Sequence, residues 1–323
     1  MELTSSRVVE VLRAAGEPTR LRILGLLRRE ELAVLELSGI LGQSQPRVSR
    51  HLKLLADAGL VERFPDGAWV FYRLVGNSGG REIIEGALGA VCPEDLVFAL
   101  DADRLAGVRA ERTAQAGAYF AANAERWDEM RSLYTSEAGV EAAMLEIAGK
   151  GPFRRLVDLG SGTGRMLTLF GSKTRSAIGL DLSRKMLNVA RSHVAAAGLT
   201  ACELRHGDIL GTGLRGGEAD LVVVHQVLHF LAEPAAAVAE AARLAAPGGL
   251  LIIVDFAPHG LEFLRVEHRH RRLGFPDEEI QRWFAAAGLE TAAIRALPPP
   301  ASGGLTVKIW SARRRGGLAR QAA

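Results

Sequence analysis

Cysteines are scarce in this 323-residue sequence, and long apolar runs and an excess of one charge are missing from it. The only cysteines, Cys92 and Cys202, cannot build a disulfide framework or a zinc site made of cysteines alone, and such sparse use is typical of a reducing compartment. No apolar run approaches the roughly 18 residues that a membrane span requires. We therefore expect a cytoplasmic protein without a membrane segment.

The charges nearly cancel, with 40 basic and 37 acidic side chains giving a formal net charge of +3. Any affinity for nucleic acid must therefore come from a local patch and not from bulk charge. With 48% hydrophobic residues the chain can bury substantial cores, which excludes an intrinsically disordered protein. The length favours two domains and leaves room for a small third one.

Shifts in composition divide the chain into four predicted segments. Helix signals followed by a hairpin fill residues 1–78, up to a glycine-rich boundary, and residues 79–150 have the pattern of linker helices. Residues 151–312 alternate short apolar runs with helical stretches, which indicates buried parallel strands in an α/β sheet. Residues 313–323 form a basic, glycine- and alanine-rich stretch that we expect to be a flexible tail.

The first segment predicts three helices, at Pro18 to about Arg29, around Leu32 to Leu41, and at Gln45 to Asp57. Ser44 is a plausible N-cap of the third helix, and Gly59 is a C-terminal glycine signal. One face of this helix is apolar, at Val48, Leu52 and Leu55, and another face is cationic, at Arg47, Arg50 and Lys53.

A β-hairpin is predicted next, because two stretches rich in β-branched and aromatic residues, 60–64 and 69–73, flank Pro65-Asp66-Gly67. Helix, turn, helix and hairpin in this order predict a winged helix-turn-helix, in which the second helix of the motif enters the major groove of DNA. The alternative is a small helical domain with a solvated basic face.

The run from Gln43 to Leu55, followed by Ala58-Gly59-Leu60-Val61, resembles the recognition helix of the ArsR family of bacterial repressors. The resemblance implies a homodimer that reads an inverted repeat in double-stranded operator DNA. It also implies that Ser44, Gln45, Ser49, Arg50 and His51 lie at or near DNA. The cationic face adds Arg47 and Lys53, so the predicted DNA-binding set is Ser44, Gln45, Arg47, Ser49, Arg50, His51 and Lys53.

Metal-sensing ArsR proteins carry two cysteines in a Glu-Leu-Cys-Val-Cys-Asp-Leu pattern, and the corresponding segment here is Glu31-Leu32-Ala33-Val34-Leu35-Glu36-Leu37. Both thiols are replaced, by Ala33 and Leu35. Because soft-metal sensing needs thiolate ligands, we expect no metal and a different effector.

A glycine loop, Gly160-Ser161-Gly162-Thr163-Gly164, follows an apolar strand and precedes a helix, the geometry in which backbone amides approach a ligand. Later strands end at Asp181, at Gly207-Asp208 and at His225-Gln226. The spacing departs from the dinucleotide fingerprint, and Asp158 precedes the loop. An acid beside the loop suits the amino group and sulfonium of S-adenosylmethionine (SAM) better than a pyrophosphate.

Residues 115–312 resemble class I SAM-dependent methyltransferases, which implies a Rossmann-like seven-stranded sheet. By that resemblance Asp158 and the glycines Gly160, Gly162 and Gly164 face the methionine end of SAM or of its product S-adenosylhomocysteine (SAH). Asp181 faces the ribose, and Asp208 faces the adenine amino group. For each aspartate alone, a helix cap or a turn is the alternative.

The helix before this domain carries Tyr119-Phe120, Trp127-Asp128 and Arg131, which resemble the lid helix of small-molecule methyltransferases, although core packing explains the aromatic residues equally well. The methyl-acceptor side is predicted to be built from His225, Gln226 and His229 and from an insert, 255–275, that carries His259, His268 and His270. The alternating run 268–272 of histidine and arginine discourages a metal site and favours a solvated or anion-facing helix.

Three functions are compatible with these motifs. The chain is a transcriptional regulator fused to an active methyltransferase of a small molecule, a regulator whose methyltransferase fold only senses SAM or SAH, or an enzyme whose winged helix only dimerises. The intact glycine loop and the three acids do not separate these functions, because a sensor and an enzyme need the same cofactor contacts.

Overall fold

The computed structural model describes residues 3–66, 69–75, 79–124, 137–299 and 304–316. They divide into two compact units, Met1–Ala114 and Gln115–Ala323. The boundary falls within one long helix, so that helix contributes residues to both units.

The first unit contains helices and a small antiparallel sheet. Its helices are α1 Ser5–Ala15, α2 Pro18–Leu27, α3 Val34–Leu41, α4 Gln45–Asp57, α5 Gly79–Gly89 and the first part of α6 Leu96–Asn123. Its strands are β1 Leu32–Ala33, β2 Val61–Asp66 and β3 Trp69–Leu74, in the order β1-β3-β2. This is the predicted winged helix-turn-helix, with β2 and β3 as the wing.

The helix expected around Leu32 to Leu41 begins two residues later than predicted. Leu32 and Ala33 instead form the short strand β1, which pairs with Tyr72 and Phe71 of the wing. Pairing with β3 therefore outweighs helix formation at this point, and it fixes the wing to the helical core.

Helix α4 begins and ends where the sequence predicts. Gly42 ends α3 with a φ of 65°, and Gly59 follows α4 with a φ of 62°, the left-handed conformation that favours glycine. Ser44 occupies the N-cap position of α4, although its side chain makes no capping hydrogen bond. The apolar face of α4, Val48, Leu52 and Leu55, is fully buried.

The second unit is a three-layer α/β fold. Its strands are β4 Phe153–Leu159, β5 Thr174–Asp181, β6 Cys202–His206, β7 Ala219–His225, β8 Ala245–Phe256, β9 Leu289–Leu297 and β10 Val307–Arg314. Its helices are α7 Glu137–Ala148, α8 Arg165–Gly171, α9 Arg184–Ala196, α10 Pro234–Leu244, α11 Phe263–Glu267 and α12 Asp277–Ala286.

The described strands of this unit form a seven-stranded sheet in the order β6-β5-β4-β7-β8-β10-β9. Neighbouring strands from β6 to β8 are parallel, and β10 is antiparallel to β8 and to β9. The predicted Rossmann-like methyltransferase sheet is therefore confirmed. The carboxyl ends of β4, β5, β6, β7 and β8 share one edge, where ligands of such sheets bind.

Both faces of the sheet are buried, which explains the nearly continuous apolar runs of its strands. Successive residues alternate between two cores, so that Val222 and Val224 belong to one and Leu221 and Val223 to the other. Helices α10 and α12 complete the first core, whereas α7 and α8 contribute to the second.

The segment boundaries differ from the expected ones in two places. Ile84, Leu88 and Leu105, within the expected linker, pack into the core of the first unit, whereas α7 packs against the sheet of the second. Arg313 pairs with both β8 and β9, and Arg314 pairs with β9. The sheet therefore extends two residues into the expected tail. Residues 317–323 lie outside the described residues.

Candidate functional site

The cationic face of α4 is open to solvent. Arg47, Arg50 and Lys53 are exposed, and none of them pairs with an acid among the residues that the structure describes. Pairing would have neutralised these charges, as it does for Arg22 of α2, which donates two hydrogen bonds to Asp101 at 2.7 and 2.6 Å. The three side chains are therefore free to meet phosphates or base edges.

The other predicted DNA-binding residues lie on the same helix with different exposure. Ser44 and Gln45 are exposed at its N-terminus, and Ser49 is half-buried. His51 is turned inward, because its Nδ1 lies 3.5 Å from Oε2 of Glu17 and its side chain is largely buried. Within the predicted DNA-binding set, His51 is therefore the residue whose side chain is engaged by another residue of the protein, Glu17.

Within its described residues the wing adds one more exposed cation. Arg63 of β2 is exposed, whereas Arg73 of β3 bonds Glu62 and Glu31 and lies over the ring of Phe64, 4.8 Å from its centroid. The tip of the hairpin, 67–68, lies outside the described residues. Arg63 was not singled out from the sequence. The sequence alone does not show that Arg73 pairs with acids while Arg63 is exposed.

At the positions of the missing thiols, Ala33 is buried in β1 and Leu35 is exposed on α3. Among the described residues, no group of three or more His, Cys, Asp or Glu side chains is arranged to hold a metal ion.

The glycine loop after β4 is bound to the end of β5. The amides of Gly160 and Ser161 both donate to the carbonyl oxygen of Leu180 at 2.8 Å, and the amide of Gly162 donates to Oδ2 of Asp181 at 2.8 Å. Gly160, Gly162 and Gly164 have φ values of 75°, 50° and 81°, a conformation that side chains disfavour. The loop therefore requires its glycines.

Asp181 connects the loop to the start of α9. Its Oδ1 accepts from the amide of Ser183 at 2.8 Å, while Oδ2 holds Gly162. Desolvation raises the pKa of Asp181, against the opposing effect of these amide hydrogen bonds. Each carboxylate oxygen still has a lone pair for a ligand, so Asp181 can bind a hydroxyl pair while it shapes the loop.

The loop also touches the segment that follows β7. A Cβ added at Gly160 would lie 2.5 Å from Cγ2 of Val227, which is closer than real carbon atoms approach. The cofactor loop and the acceptor segment are therefore in van der Waals contact in this unit.

The remaining predicted cofactor residues lie at the same edge of the sheet. Asp158 is almost fully buried at the end of β4, and Asp208 is exposed after β6 with Oδ1 accepting from the amide of Leu210 at 2.9 Å. Leu182, which follows Asp181, and Leu210, two residues after Asp208, remain 49% and 36% exposed. Two exposed apolar side chains next to carboxylates suit a flat polar base such as adenine.

Ser161 gives an independent test of whether the glycine loop fits a bound ligand. Its Oγ is buried and has no hydrogen-bond partner in the described part of the protein. Buried polar atoms are normally satisfied, so an orphaned hydroxyl in the loop is consistent with a ligand that bonds there. The acids and this hydroxyl together fit SAM.

The predicted acceptor residues follow β7. His225 is half-buried at the strand end, and Gln226 has a φ of 52°, an uncommon conformation for a residue other than glycine. The amide of Gln226 donates to the carbonyl of Val254 at 2.7 Å. This bond fixes the turn that carries the chain from β7 toward His229.

His229 is buried and paired with an aspartate that the sequence did not single out. Its Nδ1 donates to Oδ1 of Asp255 at 2.8 Å, and its backbone amide approaches Oδ2 of Asp255 at 3.3 Å. Asp255, near the end of β8, is completely buried. The sequence did carry a signal for Asp255, which is an acid near the end of an apolar strand. Asp158 and Asp181, which were predicted as site residues, occupy comparable positions.

The expectation of a helix at 268–272, solvated or anion-facing, is wrong. Helix α11 ends at Glu267, and His270 and Arg272 are buried. Arg272 bonds Oε2 of Glu279 at 2.9 Å and lies over the ring of Phe275, which compensates the burial of its charge. Desolvation lowers the pKa of His268 and that of His270.

The predicted lid helix reaches this cluster through Tyr119 and Phe120. The hydroxyl of Tyr119 lies 2.7 Å from Nδ1 of His268, and the rings of Phe120 and Phe230 are 4.8 Å apart in an edge-to-face arrangement. The other predicted lid residues, Trp127, Asp128 and Arg131, lie outside the described residues.

The fold and the two sites define a winged helix-turn-helix protein with a methyltransferase-type unit, and comparisons with known proteins agree. A family model described as bacterial regulatory protein, arsR family, matches residues 17–63. A second model, described as methyltransferase domain, matches residues 157–253.

Individual relatives match one unit each. The ubiquinone biosynthesis O-methyltransferase of Thiobacillus denitrificans is 30% identical over 166 residues, covering 47% of this chain and 69% of that protein. An HTH-type transcriptional regulator of Methanocaldococcus jannaschii, itself uncharacterized, is 39% identical over 70 residues, covering 21% of this chain and 79% of that protein. The chain spans 66% to 69% of the length of the ubiquinone biosynthesis O-methyltransferases that it matches.

Among solved structures, a chain of the complex between the Haloferax volcanii methyltransferase activator Trm112 and a methyltransferase superposes with a TM-score of 0.51. It is 20% identical, and the match covers 61% of this chain and 97% of that chain, a likeness that shows the fold alone. This chain belongs to the ArsR family of bacterial regulatory proteins through its first unit and to the SAM-dependent methyltransferases through its second.

Proposed function

We propose that this protein is a DNA-binding transcriptional regulator whose second unit binds SAM and transfers its methyl group to a small molecule. One observation carries the proposal: a single chain presents a cationic face on α4 that is unpaired among the described residues and a glycine loop that Asp181 holds at the carboxyl edge of a sheet. The names of the O-methyltransferase relatives support a small-molecule acceptor.

In the cofactor site, Asp158 and the glycine loop receive the methionine end of SAM. Asp181 accepts from the ribose hydroxyls, and Asp208 accepts from the adenine amino group. When bound, SAM supplies an electrophilic methyl group. Isothermal titration calorimetry with SAM and with SAH tests this assignment, and we expect saturable binding of each at one site per chain.

In the DNA site, α4 enters the major groove of operator DNA and Arg63 of the wing approaches the backbone. A regulator of this kind acts in the cytoplasm, where bacterial DNA is. No helix among the described residues is long and apolar enough to cross a membrane.

The regulator is proposed to act as a homodimer, because exposed apolar side chains concentrate on two helices of the first unit. Val9 and Leu12 of α1 are 44% and 50% exposed, and Leu96 of α6 is 83% exposed. A second copy that covers these side chains would remove apolar surface from water.

We expect Leu12→Asp together with Leu96→Asp to convert the dimer into a monomer, because both charges would be buried in the contact. Sedimentation equilibrium at micromolar concentration measures this change. Leu35→Asp, the same substitution at a leucine of α3 that is 56% exposed, should leave the mass unchanged. A wild-type protein that sediments as a monomer contradicts the dimer.

A second candidate function is sensing of SAM or SAH without catalysis, and helix α6 favours it. Asp101 and Leu105 of α6 are buried in the first unit, while Tyr119 of the same helix bonds His268 in the second. A ligand that shifts the end of α6 therefore acts on a helix that continues into the winged helix-turn-helix unit.

For a sensor we expect saturating SAM or SAH, SAH above all, to change operator affinity by about 5- to 150-fold, the usual range of such coupling, and DNA to change ligand affinity by the same factor. Fluorescence anisotropy with labelled DNA from the protein's own upstream region measures this. Equal affinity with SAM, with SAH and with neither excludes the sensor and leaves two separate activities.

A further inference from the structure

The methyl-acceptor side of the second unit holds an oriented histidine. Nδ1 of His229 donates to Asp255 at 2.8 Å, and both side chains are buried. Asp255 is fixed in turn, because its Oδ1 also accepts from the amide of Phe256 at 2.9 Å. Because Asp255 engages Nδ1, Nε2 is the ring nitrogen that remains to accept a proton from a ligand.

The position of the pair relative to the cofactor loop follows from the sheet. β7 lies between β4, which ends at the glycine loop, and β8, which carries Asp255. Val227, two residues before His229, contacts Gly160 of the loop. The histidine thus lies on the segment that adjoins the site proposed for SAM.

The rings around the pair are aromatic. The rings of Phe230 and His270 each lie 4.1 Å from that of His229, and Phe256 lies 5.1 Å away. His270 is buried, and its Nδ1 has no hydrogen-bond partner in the described part of the unit. Flat side chains and an unsatisfied ring nitrogen suit a flat ligand that has a polar group.

We propose that the acceptor is an aromatic hydroxyl compound and that His229, positioned by Asp255, removes its hydroxyl proton. The proposal rests on the function proposed above. The hydroxyl oxygen bonds the methyl carbon, the carbon–sulfur bond breaks with its electron pair left on sulfur, and the proton passes to Nε2 of His229. A phenol fits this base because its proton is acidic enough for imidazole to share in the transition state, whereas an aliphatic alcohol holds its proton more tightly.

A binding experiment tests the base without turnover. 4-Nitrocatechol, whose phenol and phenolate absorb differently, is added to the protein saturated with SAH. The wild type should bind it and shift its spectrum toward the phenolate at a pH where the free compound is still a phenol. His229→Gln should bind it without that shift. Equal spectra for both proteins, or no binding to the wild type, overturn the proposal.

A rescue experiment separates a chemical role from a structural one. With catechol and SAM, His229→Ala should lower kcat by about 10²- to 10⁴-fold, the usual contribution of a general base, and added imidazole should restore part of the activity. Asp255→Asn should lower kcat more than it raises KM. Asp220→Ala removes an acid that pairs with Arg154 at the opposite end of β7 from His229, and it should leave kcat within about twofold.

The outcomes distinguish this proposal from the proposed function. Failure of wild-type protein to bind SAM in calorimetry removes the methyltransferase itself. Normal SAM binding with methyl transfer to amines and not to hydroxyls refutes the acceptor class. Normal SAM binding in His229→Ala, with lost activity that imidazole does not restore, assigns His229 a purely structural role and overturns its role as a base.

Discussion

Gly162→Val and Asp181→Ala should each abolish SAM binding while the winged helix still folds. The valine places a β-branched side chain at a φ of 50°, where such residues are strongly disfavoured, and displaces the amide that Asp181 holds. The alanine leaves the amides of Gly162 and Ser183 without their acceptor and removes the partner of the ribose, a loss of roughly 1–3 kcal/mol for each unsatisfied polar group.

Two matched variants control for general damage to the second unit. Gly198→Val introduces the same side chain at another left-handed glycine, where an added Cβ meets no atom within 4 Å. Asp220→Ala removes an aspartate that pairs with Arg154 at the start of β7, away from the carboxyl edge. Both should bind SAM in calorimetry. Undiminished affinity in Gly162→Val and in Asp181→Ala would show that the loop is only structural.

Arg50→Ala should weaken operator binding by about 5- to 150-fold, which corresponds to the 1–3 kcal/mol of one base contact. The reason is that Arg50 is exposed on α4 and unpaired among the described residues, so its guanidinium is available to a base edge. Anisotropy titrations against upstream DNA and against random DNA measure the loss. A base contact lowers only the specific affinity, whereas a phosphate contact lowers both.

Arg29→Ala is the matched control, because Arg29 is exposed beyond the end of α2, outside the recognition helix, and its loss changes the net charge equally. The salt dependence separates the cations further, since each lost phosphate contact reduces the slope of log affinity against log salt by about 0.9. A wild-type protein that binds upstream DNA no more tightly than random DNA would remove the regulator functions.

Local signals in the sequence were sufficient for most of the fold. The limits of α4 follow from the turn at Gly42 and the glycine at Gly59, and the apolar runs predicted β4, β5, β7 and β8. Strand β1 was not predictable, because two residues acquire their conformation from pairing with β3. The extension of β10 to Arg314 likewise depends on its neighbours, which outweigh the basic composition.

The candidate site divides in the same way. The cofactor residues could be predicted because they follow strands at fixed spacing. The pairing of His229 with Asp255 could not, since these residues are 26 positions apart and meet only when β7 and β8 align. The burial of His270 and Arg272 was also hidden, because a run of alternating histidine and arginine looks polar until Glu279 supplies a partner.

Calorimetric titration of SAM into the protein bound to its upstream DNA tests the central claim most directly. One chain is proposed to hold a DNA-reading helix and a SAM site at the same time. The account predicts saturable binding of one SAM per chain within the DNA complex, abolished by Gly162→Val while the complex itself persists. Absence of saturable SAM binding to a protein that still binds its DNA would contradict it.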